Sequence, residues 1–365
     1  MKVRGNWISP SGSSSCGIRG YRACEEVHER MATGCSRQSV TRPTVSVVLP
    51  TFNRLEYLPA AVDSVFAQTF RDWELIVADD GSGEGTRAYL RALSERHPGA
   101  QSQIHVIWLS HTGNPGIARN AALRKARGEY VAFLDSDDLW MPTKLDVQVA
   151  ALRSAADCGW SYTDHIRIDP AGKSINWQRD PRRKLYEGNI VEPLIRLQAG
   201  IPAPSVLAER ALIERAGGFD EQQGLHEDYD LWLRLALLSK VRTLPEPLTC
   251  VRRHGAHFSN SGVRNFEARL RVLDKARGRM TGSRQLSTLR SERARNAGGL
   301  AIAHAAAGDT RKVWVTIAHS WRFAWRSPPW YWAMCSAMAR AHAPRWLVML
   351  IRSHRAAARQ ATLPS

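Results

Sequence analysis

Residues 45–54 read VSVVLPTFNR: an apolar, β-branched run stops at a proline and opens into polar residues. The same grammar recurs three times. Residues 75–78 (LIVA) run into Asp79-Asp80-Gly81-Ser82, residues 104–109 (IHVIWL) form a third run, and residues 131–134 (VAFL) end at Asp135-Ser136-Asp137-Asp138. Helical spacing fills the intervals: Leu58, Ala61, Val62, Val65 and Phe66 share one face, a polar helix extends to about residue 97, and another covers 117–126. A further helix is expected from about Pro142, because proline suits a first helical turn. Strands that alternate with helices of this length predict βαβ units and a mainly parallel sheet, an α/β fold. Apart from Ser46 and His105 the runs are apolar without alternation, as a sheet covered on both faces requires.

Composition sets the outer bounds. With 365 residues, 44% of them hydrophobic and 23% charged, the chain can bury a large core and is neither disordered throughout nor collagen-like. No 18-residue apolar stretch occurs, so a spanning helix is not expected. The six cysteines form no CxxC pair, which disfavours a zinc ribbon or a disulfide scaffold and fits a reducing, cytoplasmic compartment. The net charge of +17 is unevenly placed: +4 over residues 1–42, −2 over 43–263 and +15 over 264–365. Three segments follow. Residues 1–42, Ser-, Gly- and Arg-rich with no apolar h-region, read as a disordered tail without a signal peptide, with Met31 a candidate start. Residues 43–260 read as a globular α/β domain, and residues 261–365 as a basic, Trp-rich helical extension.

Polar residues gather where the strands end, which is where open α/β sheets bind ligands. Asp135 and Asp137, two apart at the end of an extended strand, point the same way. They can share one divalent cation and a ribose; they equally suit a turn or a helix cap, with Asp138 the better cap for the Pro142 helix. Asp79 and Asp80 can accept from a base N–H or a ribose hydroxyl, with Gly81 permitting close backbone approach; a plain βα turn reads the same. Glu227 and Asp228 open a helical segment, where the dipole favours an ionised carboxylate fit to act as a general base, or merely a cap. Arg119 can reach a base or a phosphate, or lie on the surface. Arg252, Arg253 and His254 can clamp a diphosphate or form an exposed basic turn.

Singly these signals are ambiguous; their order is not. Residues 46–54 (SVVLPTFNR), 79–82 (DDGS), 116–120 (GIARN), 133–138 (FLDSDD), 217–220 (GGFD) and 226–232 (HEDYDLW) together resemble the inverting glycosyltransferases of family 2, which have the GT-A fold. The resemblance covers about residues 43–260. It implies that Thr51 and Asp79, with Asp80 beside them, hold the nucleotide base, with Arg119 near it. It further implies that Asp135 contacts the ribose and, with Asp137, the cation, Mn²⁺ or Mg²⁺, that bridges the diphosphate. Asp228 would be the catalytic base, Glu227 its neighbour on the acceptor side, and His254 a further contact to the diphosphate or metal. The chain lacks the Gln-x-x-Arg-Trp segment of processive synthases, so one sugar per event is expected. The donor would be a nucleotide sugar, most simply of UDP, and the acceptor a glycan or lipid-linked sugar of the cell surface.

Six of the thirteen tryptophans lie between Trp314 and Trp346, among Arg322, Arg326, Arg340 and Arg345. Basic residues with interfacial aromatics fit helices lying on an anionic membrane surface, so the expected location is cytoplasmic and peripheral to the inner face of the membrane. A helical cap that packs its tryptophans inward is the alternative. Nucleic acid is not expected as a partner, because no stacking motif accompanies the charge. Two rival functions remain: a catalytically inactive nucleotide-sugar or membrane-binding module, and a sugar-1-phosphate nucleotidyltransferase, whose Gly-rich signature residues 50–53 (PTFN) lack.

Overall fold

The computed structural model describes residues 42–97, 99, 103–176, 184–253, 262–325 and 327–342; residues 1–41 of the tail expected over 1–42, His254 and Trp346 lie outside these residues. Strands β1 (Val45–Thr51), β2 (Trp73–Asp79), β3 (Ile104–Trp108) and β4 (Tyr130–Phe133) alternate with α1 (Leu58–Phe66), the pair α2 (Glu84–Arg91) and α3 (Leu93–Arg96), and α4 (Pro115–Leu123). All four strands are parallel, in the order β3-β2-β1-β4. The chain thus moves outward from β1 to β3 and then returns to the other side of β1. That reversal between β1 and β4 opens a crevice at the strand ends, the place where α/β sheets take ligands.

The remaining elements are β5 (Leu139–Trp140), α5 (Lys144–Arg153), β6 (Cys158–Ile168), β7 (Ser174–Asn176), α6 (Val191–Ile195), β8 (Val206–Glu209), α7 (Arg210–Ala216), α8 (Glu227–Leu238) and β9 (Lys240–Arg252). They extend the sheet to nine strands, but here the pairing is mixed. β8 lies antiparallel between β4 and β6, β9 is parallel to β6, and β5 is antiparallel to β9. The parallel pattern read from the sequence is therefore confined to the first half and the β6–β9 pair.

Apolar runs without alternation are explained by the core. Val45, Val47, Leu49, Leu75, Val77, Ala132 and Leu134 pack on one face of the sheet with residues of α1, α2 and α5. Val48, Ile76, Ala78, Val131 and Phe133 pack on the other with residues of α4, α7 and α8. Every strand residue of β1 and β2 is buried, so both faces need apolar side chains. Pro115 occupies the first turn of α4, whose Asn114 Oδ1 accepts from the Gly116 N–H at 2.9 Å. The helix expected from Pro142 begins at Lys144, and Asp138 does not cap it. Asp138 Oδ1 instead accepts from the Arg252 N–H at 2.7 Å, because β9 runs beside the segment and its backbone needs that acceptor.

Four helices follow the sheet: α9 (Gly262–Arg277), α10 (Ser283–Ala306), α11 (Thr310–Ala324) and α12 (Pro328–His342). α9 places Val272, Leu273 and Ala276 in the core beside α8, and Arg284 and Arg196 tie α10 to α6 through Glu192 and Thr288. The rest of α10 to α12 buries its own core around Ala297, Ala301, Val313, Trp330 and Met334. Of the tryptophans, Trp330 points inward, its Nε1 donating to Ser320 Oγ at 2.9 Å, whereas Trp314, Trp321, Trp325 and Trp332 are exposed. Among the described residues no helix is long and apolar enough to cross a membrane.

Gly298 lets α10 and α12 meet: a Cβ there would lie 2.6 Å from Ala333 Cβ. A glycine inside a helix costs about 1 kcal/mol against alanine, so close packing must offset it. Gly298→Val is expected to destabilise the chain by roughly 1–3 kcal/mol through overpacking. Urea unfolding of wild type and variant checks this, and an unchanged midpoint would count against the close approach.

Candidate active site

The ends of β2, β1 and β4 are neighbours in the sheet, so their polar residues meet at one mouth. Thr51 closes β1, and its Oγ1 is buried with no hydrogen-bond partner among the described residues. An orphaned hydroxyl at a crevice has a reason to exist if a ligand satisfies it. Asp79 closes β2 and is fully buried; both oxygens accept from the Ser82 N–H, and Arg87 Nε lies 3.6 Å away. The Asp80 carboxylate holds the loop after β3: Oδ1 accepts from the Thr112 N–H and hydroxyl, Oδ2 from the Gly113 N–H, and His111 Nδ1 lies 3.1 Å from Oδ2. Asp79 and Asp80 therefore shape the rim through bonds within the chain. Gly81 is needed there because a Cβ would strike the His111 backbone nitrogen at 2.5 Å, so the close approach is to the chain itself.

Across the mouth, α4 carries Arg119 beneath the end of β4. The guanidinium is buried; Nη2 donates to Asp135 Oδ1 and Nη1 to Glu227 Oε1, each at 2.6 Å. Burial works against the cation, but Asp135 and Glu227 outweigh it and raise its pKa above the ordinary value. Such short, charge-assisted bonds are the strong class. Arg119 thus lies between the strand-end carboxylates and those of α8.

Glu227 and Asp228 are the first residues of α8. Burial pushes the Glu227 carboxyl up to about 7, with Arg119 opposing and Asp228 reinforcing the rise. Asp228 is half-buried and Oδ1 accepts from the Tyr229 N–H at 2.7 Å. Burial raises its pKa as well, Arg119 again opposes, and the charge of Asp135 adds to the rise. One end of this helix therefore presents two carboxyl groups with different surroundings: Glu227 tied to a cation, Asp228 tied to its own backbone.

Asp135 and Asp137 leave β4 half-exposed. Asp135 keeps Oδ2 without a hydrogen bond among the described residues while Oδ1 is engaged by Arg119. Among the described residues no three His, Cys, Asp or Glu side chains converge into a closed cage. An open set of one or two carboxylates is what Mg²⁺ or Mn²⁺ takes when a phosphate completes the shell, so the donor set fits such a cation. Asp138 stands behind them, its carboxyl pushed well up by burial and then by the charges of Asp137 and Asp135.

Arg252 is not available as a diphosphate clamp. It is buried, its Nε donates to the Asp137 carbonyl at 2.7 Å, and Nη1 donates to the carbonyls of Asp169 and Pro170. Its work is to fix the backbone that carries Asp137, because buried carbonyls need donors. Arg253 is exposed, and His254 falls outside the described residues.

Two residues at the mouth had drawn no role from the sequence. The Phe52 ring stacks on His111 with centroids 3.9 Å apart and an interplanar angle of 16°, and both are partly exposed. Phe52 directly follows Thr51, and only its place at the polar end of the first strand could have marked it. Asn53 and His226 hold positive φ (50° and 64°), and each sits beside the site, where such backbone is tolerated only if its surroundings hold it. Asn53 is held by Ser82 Oγ and the Gly83 N–H, and His226 by Asn265.

The sequence profile of Glycosyl transferase family 2 matches residues 46–199. TuaG of Bacillus subtilis, named for teichuronic acid biosynthesis, is 39% identical over 135 residues, 37% of this chain and 52% of its own length. The chain therefore spans about half of that relative. The Escherichia coli enzyme WfgD, a UDP-Glc:α-D-GlcNAc-diphosphoundecaprenol β-1,3-glucosyltransferase, is 30% identical over 194 residues, 52% of this chain and 69% of WfgD. Among solved structures, Staphylococcus aureus TarS 1–349 in complex with UDP-GlcNAc superposes with a TM-score of 0.59 at 18% identity, over 82% of this chain and 89% of TarS 1–349. The Pyrobaculum calidifontis mannosyltransferase PcManGT, with GDP-Man and Mn²⁺, superposes at 0.53 and 21% identity, over 84% and 89%. The two structures share the fold seen here.

Proposed function

The chain belongs to glycosyltransferase family 2, and we propose that it moves one sugar from a UDP-sugar to an acceptor hydroxyl with inversion at the anomeric carbon. One observation carries the reading: Arg119 links Asp135, at the strand end suited to a nucleotide sugar, to Glu227, beside the carboxylate that would face an acceptor. Donor and acceptor would then meet over a single guanidinium.

In this reading Thr51 Oγ1 and the Phe52 face receive the base, and Asp135 the ribose. Asp137, with Asp135, would hold Mn²⁺ or Mg²⁺, which when bound neutralises charge on the diphosphate so that it leaves without a general acid. Asp228 takes the proton of the acceptor hydroxyl as that oxygen attacks the anomeric carbon from the face opposite the diphosphate, and this inverts the centre. Arg119 positions the carboxylates and keeps their combined charge tolerable inside the fold. The acceptor would be a lipid-linked sugar of a cell-surface polysaccharide, a class supported by the name of WfgD. The enzyme would work in the cytoplasm on an anionic membrane surface, to which the exposed tryptophans and the net +15 of residues 264–365 would draw it.

Calorimetry with UDP, GDP and dTDP, in Mn²⁺ and then EDTA, tests donor and metal together. UDP is expected to bind in Mn²⁺, and Asp137→Ala to weaken that binding on the order of tenfold or more. Equal affinity with and without metal would remove the cation from the proposal, and binding of none of the three would favour an inactive module.

A further inference from the structure

Arg277 on α9, Arg290 and Arg293 on α10, and His319 and Arg322 on α11 line one open cavity of about 650 Å³, far from any role in the transfer chemistry above. Arg293 is held: it pairs with Asp274 at 2.5 Å and lies over the Phe323 ring. Arg277, Arg290 and Arg322 are exposed and have no carboxylate partner among the described residues. Three guanidinium groups directed to one cavity repel one another unless an anion joins them, and the planar fork of arginine matches phosphate oxygens.

Trp325 lines this cavity and also the next, an apolar groove of about 700 Å³ along α12. Among the described residues that groove has no charged residue in its lining, and its Tyr331 and Trp332 are 42% and 78% exposed. Cations on one side of Trp325 and apolar surface on the other describe the complement of an amphiphile. A nucleic-acid strand would need basic groups along both sides of its stacking aromatics, which the described residues of the groove do not supply. The 23 residues after 342 carry four arginines and no carboxylate, so they are a poor occupant for an arginine cavity.

We propose that this face binds an anionic membrane phospholipid, its phosphate headgroup among Arg277, Arg290 and Arg322 and its acyl chain against Trp325 and Trp332. The inference rests on the membrane-surface reading above and is independent of the transferase chemistry. Large exposed aromatic surface marks a docking face, and aromatic rings are at home at headgroup depth.

Flotation of the full chain tests it, with vesicles of phosphatidylcholine alone and of phosphatidylcholine mixed with phosphatidylglycerol. Wild type is expected to float only with the mixed vesicles. Arg290→Glu with Arg322→Glu should lower that partitioning on the order of tenfold or more, since each basic residue at the surface counts separately. Trp332→Ala should lower it about fivefold. Arg311→Glu with Lys312→Glu makes the same charge change outside the cavity and should matter little. An equal loss in that control, or no loss in the Arg290/Arg322 pair, would overturn the site and leave the membrane reading standing. Wild type that ignores the mixed vesicles, or prefers a poly-U oligonucleotide, would overturn both. UDP calorimetry on the same samples reports separately on the folded catalytic domain and the transferase reading.

Discussion

Asp228→Asn is expected to cut turnover by about 10²-fold or more while UDP affinity stays within about twofold of wild type. The substitution keeps the shape and the acceptor for the Tyr229 N–H but removes the capacity to take a proton. Donor contacts assigned to β1 and β4 do not pass through it, so binding and chemistry should separate. The pH profile gives an independent reading. A base must be deprotonated to act, and burial raises the Asp228 pKa. The acid limb of kcat should therefore lie above the ordinary carboxylate range, with activity rising as pH climbs through it, and the asparagine variant should lack that limb. Turnover near wild type in Asp228→Asn would remove it as the base.

Arg119→Met should destabilise the fold by about 3–5 kcal/mol near neutral pH, because it strands Glu227 and Asp135 beside Asp228 without a countercharge. The loss has a sign in pH. Glu227 is already raised to about 7 with Arg119 present, and removal of the cation that opposes this rise can only push it higher. Between the unfolded carboxyl value and the folded one, the native state holds a proton that the unfolded chain releases. Stability of the variant thus falls as pH rises through that window, and the deficit should be smaller at pH 5 than at pH 8. Glu227→Gln added to Arg119→Met should recover much of it. Urea unfolding of the single and double variants at both pH values measures this, and a deficit that ignores pH and is not relieved by Glu227→Gln would mean that Arg119 contributes packing alone. Its contact with the Phe219 ring, 5.4 Å from guanidinium carbon to centroid, makes that a real competitor.

Why some residues were legible and others not follows from range. The four parallel strands could be read because each is announced locally by a mainly apolar run, and three of them by a proline or carboxylate at the end. Asp135, Asp137, Asp79 and Asp80 were visible for the same reason: polar residues at strand ends stand out against Val, Leu and Ile. Asp138 was misread as a helix cap, since the acceptor it supplies is needed by Arg252, 114 residues away. Arg252 likewise looked like a free cation and is buried against carbonyls. Phe52 and His111 gave no signal alone, because a stack exists only after β1 and the loop following β3 have met.

By itself, then, the sequence determined the strand–helix alternation, the two-sided burial of the sheet, the acidic strand ends and the uneven charge. These depend on side-chain period and on residues a few positions apart, where the chain has little choice. Tertiary structure alone decided that Arg119 bridges Asp135 and Glu227, 16 and 108 residues distant, that the second half of the sheet is mixed, and that three helices turn arginines toward one cavity. A guanidinium with two carboxylates in reach is indistinguishable from a surface arginine until packing removes it from water, because its partners are chosen by the closure of the fold and not by its neighbours in the chain.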